Sequence, residues 1–266
     1  MNIFSTADKW QGQGYGFIMA TIIESKGSTP RHNAKMLVRE DGQLSGTIGG
    51  GPAEYKVIQD GLKALKMESN SIQEYIFDKN VEGGLPTHCG GAMKVLIEVF
   101  PKKKRIVLIG AGHVNQAVMK IANQLNWSIV VADDRPEYAT KDLLDRANDI
   151  YTDKSIEKAV ECVGVTDEDI CVIATKDCDL EALREALKYR PRHLGMIGSK
   201  RKVKKIFETL MDEGVSQDIL NEVHAPVGLD IGAETPMEIG VSIMSEIIAF
   251  LNNKTGTCMK DWVNDQ

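Results

Sequence analysis

The 266-residue sequence has no apolar stretch long enough to span a bilayer, and its first residues, "MNIFSTADKWQGQG", contain no basic region followed by an apolar run. Both absences predict a cytoplasmic protein with no membrane span. Positive charge is also in short supply. With 32 Lys and Arg against 38 Asp and Glu the net charge is -6, which gives no general attraction for nucleic acid, so any anion recognition must come from local features. Cysteines are few. The five, at positions 89, 162, 171, 178 and 258, are odd in number and scattered, as expected of reduced thiols rather than a disulfide framework. Neither they nor the five histidines have metal-finger spacing, so no structural metal site is expected. A serine triad, a paired-carboxylate acid/base site, a Walker loop, internal repeats and low-complexity segments are all missing too.

What remains is ordinary globular composition, 26% charged and 42% hydrophobic, in a chain long enough for two domains. The first half reads as a small α+β unit. "YGFIMATIIE" is a β-branched strand. "KMLVREDGQLSGTI" carries Asp41-Gly42 between apolar segments, a hairpin signal. A helix from about Ala53 to Met67 places Tyr55, Ile58, Leu62 and Leu65 on one stripe, and "SIQEYIF" and "MKVLIEVF" supply further strands. After the polar connector "PKKK" the texture changes. "RIVLIG", "WSIVVAD", "DICVIAT" and "HLGMIGS" are apolar throughout, as parallel strands covered on both faces are, and they alternate with helical segments. The expected fold class is therefore α/β: a C-terminal Rossmann-like doubly wound parallel sheet preceded by a smaller α+β domain, with boundaries at 1–101 and 102–266.

In "RIVLIGAGHVNQAVMKIANQL" the first two glycines of a dinucleotide fingerprint are Gly110 and Gly112, directly between strand and helix, but the third position holds Asn115. A side chain there prevents the closest helix–strand approach, and Ala117 is the candidate for the small contact instead. Helix-end amides suit a phosphate or pyrophosphate. His113 could point at that anion or bond to nearby backbone. Of the acidic pair Asp133-Asp134 after the second strand, one normally bonds a ribose hydroxyl. The plainer alternative is a tight turn followed by solvated loop acids.

A second anion candidate is "IGSKRKVKKIF". Gly198 ends a strand, Ser199 is a good N-cap, and Lys200, Arg201 and Lys202 crowd a helix start where the dipole disfavours cations. Something negative should compensate, or the lysines are simply solvated. Near the end, Thr235, Pro236 and Glu238 make a capping box with proline at N1, opening a helix expected to be buried nearly all round; "HAPVGLDIG" before it, with His224, is more elaborate than a connector needs. In the first domain, "GSTPRHNAKM", "GTIGGG" and "THCGG" are glycine-bearing loops. Cys89, between His88 and the Gly90-Gly91 pair, is either a reachable thiol whose charge Arg31 could support or a small buried hydrophobe. Cys162, Cys171 and Cys178 fall in or beside predicted core segments and read as structural.

Taken together and in order, "GSTPRHNAKM", "GTIGGGPAE", "HCGGAMKVLIE", "LIGAGHVNQA", "DDRPE", "HLGMIGSKRK" and "APVGLDIGAETPMEIGVSI" resemble the XdhC/CoxI family of xanthine dehydrogenase accessory proteins over residues 25 to 243. The resemblance implies a cytoplasmic factor, more a cofactor chaperone than an enzyme, that binds molybdenum cofactor (molybdopterin), assists its sulfuration and delivers it to a molybdenum hydroxylase of the xanthine dehydrogenase type. A sulfur-donating cysteine desulfurase and a homodimer follow from the same resemblance. No catalytic residue is assigned. Gly110, Gly112 and His113 match the family's glycine loop, Asp134, Arg135 and Pro136 its "DRPE" segment next to Asp133, and Gly198, Ser199, Arg201 and Lys202, with Lys200 between, its "GSRRK" segment. Asn115 departs from the glycine common there, and Pro52 stands where many relatives have a cysteine. Cys89 is then the matching cysteine and the candidate molybdenum contact, with Gly90, Gly91 and Arg31 beside it. NAD(P) bound by the same glycine turn, in an oxidoreductase or a nucleotide-sensing scaffold, is the alternative.

Overall fold

The structure is a computed structural model that describes residues 2–27, 33–77, 84–85 and 91–260. It divides into two compact units, Met1–Lys103 and Lys104–Gln266.

The first unit is built on a five-stranded antiparallel sheet of order β3-β2-β1-β5-β4. Its strands are β1 (Phe17–Lys26), β2 (Lys35–Arg39), β3 (Leu44–Gly46), β4 (Ser71–Ile76) and β5 (Ala92–Phe100). Alternation along β1 decides which face each side chain serves. Ile18, Ala20 and Ile22 join Val57, Val95 and Ile97 in one core, while Phe17 and Met19 pack with Trp10 and Leu37 on the other face. The helices α1 (Ile3–Gly12), for which the sequence carries no clear signal, and α2 (Gly51–Lys66) supply those two covers. Of the expected stripe on α2, Ile58, Leu62 and Leu65 pack against the core but Tyr55 is exposed, and the helix is turned so that Ala53, Val57, Gly61 and Ala64 are the most deeply buried. Gly61 sets that rotation, because a Cβ there would meet Ile18 Cγ1 at 2.9 Å.

The second unit is a five-stranded, wholly parallel sheet of order β10-β9-β6-β7-β8. The strands are β6 (Arg105–Ile109), β7 (Ser128–Asp133), β8 (Asp149–Thr152), β9 (Ile170–Ile173) and β10 (His193–Met196). Of these, β8 is not among the strands the sequence predicts. It is a half-exposed edge strand with Asp149 and Thr152 at its ends, so it offers no continuous apolar run. The central strands behave as expected, with Ile106 and Leu108 facing one core and Val107 and Ile109 the other. On the first face lie α3 (His113–Gln124) and α8 (Pro236–Leu251); on the second, α4 (Ile156–Val163), α5 (Asp179–Leu187) and α6 (Lys200–Asp212), with α7 (Gln217–Asn221) adding Leu220. Each buried Val, Ile or Leu contributes about 1.5–3 kcal/mol. The chain reverses direction across the sheet between β6 and β9, so the crevice at their carboxyl ends is the position where open α/β sheets bind ligands.

Helix α8 is not buried all round. Gly240, Ile243, Met244 and Ile247 are buried, but Met237, Val241 and Ile248 remain exposed, since α3 covers one side only. The capping box of Thr235 and Glu238 and the N1 proline are present. Among the described residues no helix is long and apolar enough to cross a membrane.

Candidate functional site

The glycine turn is held in place by the strand beside it. Gly110 has φ +100, and a Cβ there would come within 2.3 Å of Ala174 O on the chain leaving β9, so no other residue fits. Gly112 is different. It is the N-cap of α3 with φ -71, and the nearest atom to an added Cβ is 3.9 Å away, so nothing within the protein demands glycine. The first helical bond runs from Gln116 N to Gly112 O at 2.9 Å; the amides of His113, Val114 and Asn115 face the open end of the helix, and the His113 side chain is exposed.

Asn115 is fully buried, and its Nδ2 donates to Gly110 O at 2.7 Å and Ile109 O at 3.0 Å. The side chain that replaces the third fingerprint glycine thus ties helix to strand by hydrogen bonds where a glycine would do so by contact. Ala117 does make a close contact, but with the other helix: a Cβ on Gly240 of α8 would sit 3.0 Å from Ala117 Cβ. Ile109 O keeps a second partner in Ala174 N, so Asn115→Gly is expected to cost roughly 1–3 kcal/mol, read as a shift in the urea midpoint; no shift would mean that the amide bonds are idle.

The two acids after β7 have separate jobs. Asp133 is buried and committed internally: Oδ2 accepts from Ala111 N at 2.5 Å and from Arg135 Nη2 at 2.8 Å, and Oδ1 accepts from Arg135 N and Nε. Burial alone would raise its pKa, but these donors outweigh it and hold the carboxyl below its ordinary range. Its carboxylate thereby occupies the Ala111 amide, between the two glycines of the turn. Arg135 lies over the Tyr138 ring at 4.2 Å. Asp134 is the acid left facing outward. It lines a cavity of about 480 Å³ with Pro136, Thr152, Asp153 and Lys154, beyond the carboxyl ends of β7 and β8.

From the other side of the switch point comes the loop after β9. Thr175 N and Oγ1 both donate to Asp179 Oδ1, and Cys178 Sγ reaches Asp134 Oδ2 at 3.6 Å. Cys178, a structural cysteine by its sequence setting, does pack partly buried against the core, and its thiol also reaches the end of β7. Burial and the neighbouring Asp134 push its thiol up to about 11, so it is protonated at neutral pH. Position alone could not reveal this, because the contact joins residues 44 apart.

Ser199 caps α6, accepting from Lys202 N at 3.2 Å. The negative partner expected at this lysine-rich start is present for Lys202: its ammonium bonds the buried carboxylate of Asp179. Lys200 and Arg201 point to solvent and Gly198 is half-buried, at the end of β10. Burial also raises Cys171. Of the first-domain candidates, Gly91 is half-buried just before β5, whereas Arg31, Cys89 and Gly90 lie outside the described residues.

A parallel sheet with a strand–glycine turn–helix at its switch point is shared by many folds, and comparison with known sequences narrows it. The model of the XdhC Rossmann domain matches residues 106–247, more than half of the chain, and that of the XdhC and CoxI family matches residues 10–75. The chain belongs to the XdhC family. This XdhC-family chain is 41% identical over 259 residues to an uncharacterised protein, YqeB, of Escherichia coli (strain K12), covering 97% of this chain and 48% of that protein. It is 28% identical over 163 residues to a probable xanthine dehydrogenase component of Bacillus subtilis (strain 168), covering 60% of this chain and 47% of that one. The chain thus spans about half the length of the curated relatives it matches. A solved structure described as a xanthine dehydrogenase from Bacillus halodurans has the same fold, with TM-score 0.50 and 20% identity over 98% of this chain and 99% of that one.

Proposed function

We propose that this XdhC-family chain binds molybdenum cofactor, holds it during sulfuration and passes it to a molybdenum hydroxylase of the xanthine dehydrogenase type. Family membership and the name of the Bacillus subtilis relative support the client. The observation that carries the ligand is Gly112. No internal contact requires glycine there, so the bare backbone keeps space at a helix start for something brought from outside. The phosphate end of a pterin cofactor suits the amides of His113, Val114 and Asn115 and the positive end of the α3 dipole. Lys200 and Arg201, with the amides after Gly198, add positive charge at the end of β10. When bound, the cofactor supplies the molybdenum–dithiolene centre that the client uses; this chain's residues only hold and orient it. The thiol of Cys89 suits a soft metal by its chemistry. Sulfuration calls for a sulfur-donating cysteine desulfurase as partner, and the working form in this reading is a cytoplasmic homodimer.

The cavity beside Asp134 favours a ligand with a nucleoside half, because adenosine in doubly wound sheets lies beyond the strand that follows the glycine turn. A dinucleotide form of the pterin meets that description, and so does NAD(P). Protein isolated from a molybdenum-replete host is expected to retain metal and fluorescent pterin together. Gly112→Thr keeps a good N-cap while filling the space, so it should leave the melting temperature unchanged and lower retained pterin at least about tenfold. Tight NAD(P) binding without pterin would mark an oxidoreductase or a nucleotide-sensing scaffold instead, and pterin retention indifferent to Gly112→Thr would remove the glycine turn from the site.

A further inference from the structure

At the opposite end of the parallel sheet from the glycine turn, three side chains far apart in sequence converge. His193 is the first residue of β10, and Glu246 lies in the second half of α8. His224 is brought alongside β10 by backbone pairing, with His224 N donating to Leu194 O and Met196 N to His224 O, each at 2.9 Å. Glu246 Oε1 stands 2.8 Å from His224 Nδ1 and 3.3 Å from His193 Nε2, while Oε2 accepts from Gly228 N at 2.6 Å. One ligand atom from each of the three lies within 4.8 Å of the other two.

We propose that His193, His224 and Glu246 form a binding site for a divalent transition-metal ion of the zinc or ferrous kind. Two imidazoles and one carboxylate are a set that such borderline cations take, leaving a further position for water, whereas magnesium and calcium require oxygen ligands throughout. Spacing agrees. Metal–ligand bonds of about 2.0–2.1 Å at tetrahedral angles separate ligand atoms by roughly 3.3–3.4 Å. The His193–Glu246 pair already has that separation, and the His224–Glu246 pair needs to open by about half an ångström. The side chain of His193 has no exposed surface, whereas those of Glu246 and His224 are 17% and 32% exposed, so an ion can arrive from the solvent side and keep a water. The edge of Phe250 packs on both imidazoles, at 5.0 and 5.3 Å between ring centroids, and screens them.

Without metal, both rings give a hydrogen bond to the same carboxylate oxygen. His193 Nδ1, buried and with no partner among the described residues, fixes Nε2 as the nitrogen that faces Glu246. Metal binding must displace the protons on the facing nitrogens, so affinity rises with pH. The missing acceptor at Nδ1 makes the site weaker than one whose second nitrogen is held.

The full chain, stripped with a chelator, tests this by titration at neutral pH against a competing chromophoric chelator. One equivalent of Zn²⁺ should bind with a Kd of roughly 1 μM or tighter, and Mg²⁺ should not compete. His224→Ala and Glu246→Gln should each weaken binding at least about a hundredfold, because a lost ligand costs no less than a lost supporting partner. Loaded with Co²⁺, the protein should show the absorption of a nitrogen–oxygen site with no thiolate charge-transfer band, which separates this site from the cysteines. His193 is buried, so the two partly exposed residues carry the test, with melting curves in chelator as the check that both variants fold. No zinc binding by the parent, parent-like binding by both variants, or a thiolate band each overturns the proposal. None of these outcomes depends on the pterin.

Discussion

Replacing Gly110 by alanine is expected to destabilise the second unit by about 3–5 kcal/mol, the sum of a left-handed backbone forced on a β-carbon and an overpacked contact. The methyl group would lie 2.3 Å from Ala174 O, and that carbonyl cannot retreat, because Ala174 N is bonded to Ile109 O within the same sheet. With two units in the chain, a single melting temperature averages over both. Hydrogen exchange of the β6 and β9 amides reads the affected unit directly. Protection within 1 kcal/mol of the parent, on the order of one tenfold step in exchange, would show that the turn yields. The contrast with Gly112→Thr is the useful part, since two glycines two residues apart are required for different reasons, one by the fold and one by the proposed ligand.

Asp133→Ala should rank next, at about 3–5 kcal/mol, because it strands the Ala111 amide and leaves Arg135 without its buried counter-ion. The partial exposure of Arg135 allows some rehydration and moves the expectation toward the lower figure. The same residue sets an acid limit. Its folded pKa lies below the ordinary 3.8, so its contribution is complete above that value and is lost as pH falls through the depressed one. Urea unfolding between neutral pH and pH ~3 should therefore be steeper in pH for the parent than for Asp133→Ala. Equal slopes would mean that Asp133 is not the group involved.

Much of this architecture is legible from the residues. Apolar runs mark β6, β7, β9 and β10 because strands covered on both faces cannot alternate, and Asp41-Gly42 marks the hairpin because Gly42 takes the left-handed conformation, φ +86, that closes the loop. Strand β8 is hidden by being half-exposed, and the stripe on α2 is right for Ile58, Leu62 and Leu65 but wrong for Tyr55, because the centre of the inward face is Gly61, which contributes no hydrophobicity. In the candidate site, the two glycines and the acidic pair Asp133-Asp134 are readable as a local pattern, but which of the two acids turns inward is not. What no spacing rule can supply are contacts across the sheet. Cys178 meets Asp134, Lys202 finds Asp179, and two histidines share Glu246, each pair meeting only after the strands are ordered.

The crossing of α3 and α8 has a mechanical consequence. Where Gly240 lies on Ala117, main chain rests against a methyl group with no longer side chain between, so no soft layer exists there to absorb a shift. A tilt of α3 at its glycine-turn end would therefore press directly on α8, the helix that carries the carboxylate the paired imidazoles share.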